Sequence, residues 1–170
     1  MTKQNQTPSN WAHLRDIFLL PFTVTIILPA LFFHSPQIFI FNNWILPILC
    51  FGFIGLGLSL LFITISLFKR LGEGTLAPWQ PTQKLIIAGP YKYCRNPMIT
   101  GVLFILIGEF FLFLSYNHLI LIVCFFTANT LYFIYSEEPR LVLRFGQEYT
   151  IYKQNVPRWI PRLKPYTPKS

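Results

Sequence analysis

Four apolar stretches, each close to the length of a membrane-crossing helix, constrain this chain more than any other feature. Residues 17–33 are apolar apart from two threonines and two prolines. Residues 44–68 and 119–135 carry no charge, and residues 98–114 carry one, Glu109. A bilayer core needs about 20 apolar residues in helical form. Charged residues make up 12% of the chain, about half the share of a soluble domain, too few to keep a water-facing surface free of large apolar patches. The expectation is an all-α, polytopic membrane bundle of about four transmembrane helices, built as one domain over 1–170. The first stretch is expected to be a retained helix and not a cleaved signal. Its leader is weakly charged, Pro21 and Pro29 interrupt it, and His34-Ser35-Pro36 is no cleavage pattern.

Basic residues set the expected orientation. Lys3 and Arg15 precede the first stretch. Lys69, Arg70, Lys84, Lys92 and Arg95 follow the second, and the other seven lie in the tail after the fourth. All fourteen fall on one side, so both termini are expected in the cytoplasm. Contact with anionic lipid accounts for the net charge of +8 without nucleic acid. The three cysteines form no disulfide framework, no spacing suggests a metal site, and His13, His34 and His118 fall near expected membrane boundaries.

The expected cytoplasmic segments, 69–97 and 136–170, hold the informative sequence. The first is rich in glycine and proline and carries aromatics at 79, 91 and 93, the mark of a long functional loop. In the second, Leu141, Phe145, Tyr149 and Tyr152 recur at helical spacing while Arg140 and Arg144 fall off that stripe. This predicts an amphipathic helix lying on the membrane or folding back on the core. Pro157 ends it, and Trp159 with Arg158 and Arg162 forms an interfacial anchor.

Several polar groups could carry chemistry or serve structure. Glu137 and Glu138 point about 100° apart if helical, so one can turn inward and the other outward. At a helix C-terminus, where negative charge is disfavoured, they call for a cationic partner. Asn96 and Pro97 suit a helix start as N-cap and first residue. Arg95 before them either snorkels to phosphate or binds a ligand. Gly52, Gly55 and Gly57 allow close helix packing or close approach of a flat ligand. Glu109, deep in the membrane, should face the bundle interior, with Asn129 as its expected polar partner.

Two cap segments resemble a known family. The first runs Gly89-Pro90-Tyr91-Lys92-Tyr93-Cys94-Arg95-Asn96-Pro97-Met98-Ile99-Thr100-Gly101. The second has Glu137-Glu138, Leu141, Phe145-Gly146, Tyr149, Tyr152 and Val156-Pro157-Arg158. In order and spacing they resemble the isoprenylcysteine carboxyl methyltransferases and related phospholipid methyltransferases, over roughly two-thirds of the chain, 52–162. The resemblance implies methyl transfer from S-adenosyl-L-methionine. It implies that Gly55, Gly57, Glu137 and Glu138 contact that cofactor, together with Tyr91, Arg95, Asn96, Pro97 and Gly101. The common members have His where this chain has Asn96. Asparagine can donate a hydrogen bond but is no base near neutral pH.

The acceptor implied is a lipid or lipophilic molecule entering from the bilayer: a carboxylate, an amine or a thiol. For an anionic acceptor, Arg144 or Arg158 supplies the cation; for an amine, a glutamate such as Glu138 supplies the base. The expected location is a bacterial inner membrane. The alternatives are a non-enzymatic membrane scaffold or subunit on the same helical frame, which a structured, charge-bearing cap disfavours, and a small transporter, which the lack of a repeat disfavours.

Overall fold

The computed structural model describes residues 18–32, 44–71 and 84–168. Lys3, His13 and Arg15, the connection containing His34, the loop residues 72–83 with Trp79, and Lys169 lie outside the described residues.

Every regular element among the described residues is helical. A π-helical stretch, Phe18–Ile27, runs into the short helix α1 (Leu28–Phe32). The helix α2 (Ile45–Leu71) follows, then a 3-10 turn at Gly89–Lys92, α3 (Pro97–Phe113) and α4 (Tyr116–Tyr132). A π-helical turn, Phe133–Glu137, joins α4 without a break to α5 (Glu138–Asn155). Ile45–Leu71 and the continuous run Tyr116–Asn155 are long and apolar enough to cross a membrane. Pro21–Leu31 and Pro97–Phe113 are apolar but shorter.

Lipid is as apolar as leucine, so helices in a membrane associate by close contact and not by escape from water. The contact between α2 and α3 is built accordingly. A Cβ placed on Gly57 would lie 2.5 Å from the Gly101 carbonyl oxygen, and one on Gly108 would lie 2.8 Å from that of Cys50. Around this seam Leu61 of α2 and Val102, Ile105 and Leu106 of α3 form a buried core. Val24 of the first stretch and Leu121, Ile122 and Phe125 of α4 pack against it. The one buried hydroxyl in α2, Thr64, donates to the carbonyls of Leu60 and Leu61, so it adds no unpaired polar group.

The turn between α3 and α4 is tighter than the expected Ser115–His118. Leu114 adopts a left-handed conformation, φ 46°, which stops α3, and Ser115 already stands at the start of α4. His118 is therefore inside the first turn of a helix and fully buried. Its Nε2 lies 3.2 Å from Glu109 Oε2. Asn129, the expected partner of Glu109, instead donates to the Phe125 carbonyl one turn back. Four residues separate Glu109 from the Leu114–Ser115 turn on one side and two separate His118 from it on the other, so a tight hairpin brings the two level.

Candidate functional site

The cap is assembled from three segments that are distant in sequence. The tail runs beside the segment leading into α3. Arg95 N–H donates to the Pro157 carbonyl at 2.9 Å, Arg162 N–H to that of Tyr93 at 3.0 Å, and Tyr166 N–H to that of Lys92 at 2.9 Å. Helix α5 closes over both. Tyr149, Tyr152 and Val156 form a buried cluster against Leu85, Ile87, Leu141, Phe145 and Tyr166. The Tyr152 hydroxyl donates to the Tyr91 carbonyl at 2.7 Å.

Helix α5 can do this because it is not straight. Gly146 has φ 55° and ψ −125°, a conformation open to glycine and strained for other residues. The chain turns there. Lys153 lies fifteen residues after Glu138, about 22 Å along a straight helix. Yet its Nζ is 2.7 Å from Glu138 Oε2.

Glu138 is the centre of the cap. It is 4% exposed. Arg95 Nη1 donates to its Oε1 at 2.9 Å, and Arg158 reaches the same oxygen through Nε and Nη2, both at 2.7 Å. With Lys153 on the other oxygen, three cations converge on one carboxylate. Burial opposes ionisation of Glu138. The hydrogen bonds from Lys153 and Arg158, and the charges of Arg95 and Arg158, outweigh that and hold its carboxyl below the usual carboxylate range. Arg95 Nη1 also donates to the Tyr149 hydroxyl at 3.2 Å.

The neighbouring glutamate faces elsewhere. The π-helical turn Phe133–Glu137 makes the register wider than that of an α-helix, and such turns concentrate at functional sites. It sets Glu137 opposite Tyr132, five residues back, whose hydroxyl donates to Glu137 Oε2 at 3.1 Å. Glu137 lines a cavity of about 450 Å³ between the cap and the helices. The pair thus splits as the 100° spacing predicts. One correction concerns its place: the helix continues through both residues, so they do not sit at a helix C-terminus.

Polar groups gather at the cap end of that cavity: Arg95, Asn96, Glu137, Arg140 and Arg144, with Tyr91, Tyr149 and Tyr152. Toward the bundle the lining turns apolar, with Val24, Val102, Phe125 and Phe133, and Asn129 among them. Asn96 occupies the N-cap position of α3, yet its side chain makes no capping bond, and it belongs to the cavity lining instead. Burial pushes the hydroxyls of Tyr91, Tyr149 and Tyr152 up from the usual phenol range, so they stay protonated near neutral pH. The Arg95 side chain is 9% exposed. Among the described residues no acceptor meets its Nε.

Of the residues singled out in the sequence, Tyr91, Arg95, Asn96, Glu137 and Arg144 come together around this cavity. Gly55, Gly57, Pro97, Gly101, Glu138 and Arg158 lie outside its lining. Gly57 and Gly101 face each other across the helix seam, whereas a Cβ on Gly55 would meet nothing within 4 Å. Arg158 is bound to Glu138. Sequence reasoning missed Lys153, Tyr132 and Arg140. Tyr132 had a detectable signal, an aromatic hydroxyl one helical turn before the glutamate pair; Lys153 had none, because its place depends on the break at Gly146.

A family model described as phospholipid methyltransferase matches residues 48–148, which include most of α2, all of α3 and α4, Arg95, Asn96 and both glutamates. No curated protein and no solved structure matches the chain.

Proposed function

The chain belongs to the phospholipid methyltransferase family and is a membrane methyltransferase; from that premise we propose that S-adenosyl-L-methionine is its methyl donor and a lipophilic, membrane-associated molecule its acceptor. The observation that carries this reading is a single cavity with a guanidinium and a carboxylate at its polar end and helix side chains at its apolar end. The donor's methionine moiety bears both an ammonium and a carboxylate. Arg95, with its unmet Nε donor, suits the carboxylate through a charge-assisted hydrogen bond, and Glu137 suits the ammonium. When bound, the donor supplies an electrophilic methyl group on a sulfonium, and in-line transfer needs no metal.

The chain's own residues orient and desolvate. Glu138 and Tyr149 hold the Arg95 guanidinium in place from behind, so Glu138 acts as a positioning residue. Tyr132 fixes Glu137 in the same way. Asn96 offers a hydrogen-bond donor and no base. Glu137 carries the one carboxylate among the described lining residues. Arg140 and Arg144 together with Arg95 give the polar end more positive than negative charge. That balance favours an acceptor that arrives anionic, a carboxylate or thiolate, over an amine. The apolar lining from Val24 to Phe125 suits a hydrocarbon chain reaching in from the bilayer. The distribution of basic residues favours a cytoplasmic side for this cap.

Incubation of the purified protein with methyl-labelled donor and total membrane extract tests the reading. Label is expected in a lipid-extractable ester or thioether. Label found only in an amine would overturn the acceptor assignment, and no transfer to any fraction would overturn the enzymatic one.

A further inference from the structure

We propose that the segment from Trp159 to Lys164 is a membrane-surface contact that recognises anionic lipid headgroups. The segment has no regular secondary structure, and it exposes its two largest aliphatic side chains. Ile160 is 80% exposed and Leu163 is 99% exposed. Among the described residues little covers them, and side chains of this size left exposed mark a contact surface.

Trp159 fixes the height of the segment relative to the bilayer. Its ring packs at a tilt against Phe126 at 5.3 Å and edge-on against Phe133 at 5.9 Å between centroids. Phe126 lies seven residues before Phe133, about 10 Å down the helix axis toward the bundle. The tail therefore descends from the cap beside the last turns of α4, a helix in the run long and apolar enough to cross a membrane. That is the interfacial depth where tryptophan collects and where short aliphatic loops enter the acyl boundary.

Arg162 and Lys164 supply the charge. They flank Leu163, and Lys164 is exposed. Arg162 also closes the loop by donating to the Asn155 carbonyl at 2.8 Å. Cations beside an inserted aliphatic residue suit a phosphate-bearing, negatively charged surface. Just before Trp159, Arg158 is bound to Glu138, so the contact joins the network that holds Arg95.

The test uses the full chain in nanodiscs of phosphatidylcholine, with or without phosphatidylglycerol. With Trp11→Phe, Trp44→Phe and Trp79→Phe, Trp159 is the remaining tryptophan, and a further Leu163→Trp adds a reporter at the tip. Lipids brominated close to the headgroup are expected to quench both reporters about twofold. Brominated phosphatidylglycerol is expected to quench the tip reporter more than brominated phosphatidylcholine does. High salt should abolish that preference within a Debye length of about 3 Å at 1 M. Lys164→Gln, which leaves the Arg162 loop bond in place, is expected to reduce it. Absence of bromolipid quenching at the tip, equal quenching by both lipids, or protection of the tip by a second copy of the chain would each overturn the proposal.

Discussion

Replacing Glu138 with glutamine removes one negative charge and keeps the shape of the side chain. It leaves Arg95, Arg158 and Lys153 converging on a neutral amide, and the cluster's net charge rises from +2 to +3. The side chains of Glu138 and Arg95 are 5% and 9% exposed, while Arg158 is at 22% and Lys153 at 44%. Removing one partner of a buried ion pair costs about 3–5 kcal/mol. The Arg95 and Arg158 contacts fall in that class, whereas the Lys153 contact is screened by solvent and contributes under about 1 kcal/mol. We therefore expect Glu138→Gln to destabilise the cap by about 3 kcal/mol, a fall of about 6–12 °C in melting temperature for a chain of this length.

Cys94, 4% exposed within the cap, reports on this. A thiol-reactive dye on detergent-solubilised protein, with Cys124→Ser removing the exposed thiol, follows its release. Lys153→Met is the internal control and should shift the transition far less. If Glu138→Gln melts within about 2 °C of the parent, under 1 kcal/mol on the same scale, or no lower than Lys153→Met, the three-cation account is wrong.

The same carboxylate sets an acid limit. Its folded-state affinity for protons is depressed. Its stabilisation is therefore complete above the unfolded carboxylate value of about 4.3 and is lost as pH falls through the lower folded value. Cap melting should be flat from neutral pH down to about 5 and should fall below about 4, and Glu138→Gln should remove the part of that fall due to this group. Gly146→Ala should cost about 1–3 kcal/mol, because alanine is strained at φ 55°, and should expose Cys94 to the dye at lower temperature. Gly57→Ala should lower the melting temperature by forcing α2 from α3, while Gly55→Ala, with nothing within 4 Å, should leave both stability and donor affinity unchanged. A loss of affinity in Gly55→Ala at normal stability would return that glycine to the cofactor site.

The helices were legible in the sequence because apolar runs of this length have one economical form in lipid. The expected stretches 44–68, 98–114 and 119–135 lie within three residues of where α2, α3 and α4 begin and end. The division of labour between Glu137 and Glu138 was legible only as an angle. Which glutamate turns inward depends on the π-helical turn before them and on Arg158, twenty residues later. The pairing of Glu109 with Asn129 fails because Asn129 satisfies its own backbone. A tight turn at Leu114–Ser115 puts His118 opposite instead. Lys153 was illegible for a different reason. Its contact depends on one glycine adopting a conformation that turns a helix back on itself, and sequence spacing alone predicts a separation of about 22 Å.

Calorimetric titration of S-adenosyl-L-methionine into the protein in nanodiscs, beside Glu137→Gln, tests the account most directly. The parent chain is predicted to bind, and Glu137→Gln, whose side chain lies outside the three-cation cluster, to bind about tenfold more weakly, or 1.4 kcal/mol, with an unchanged melting temperature. Equal affinity in both proteins, or no binding by the parent, would contradict the claim that this cavity holds the methyl donor.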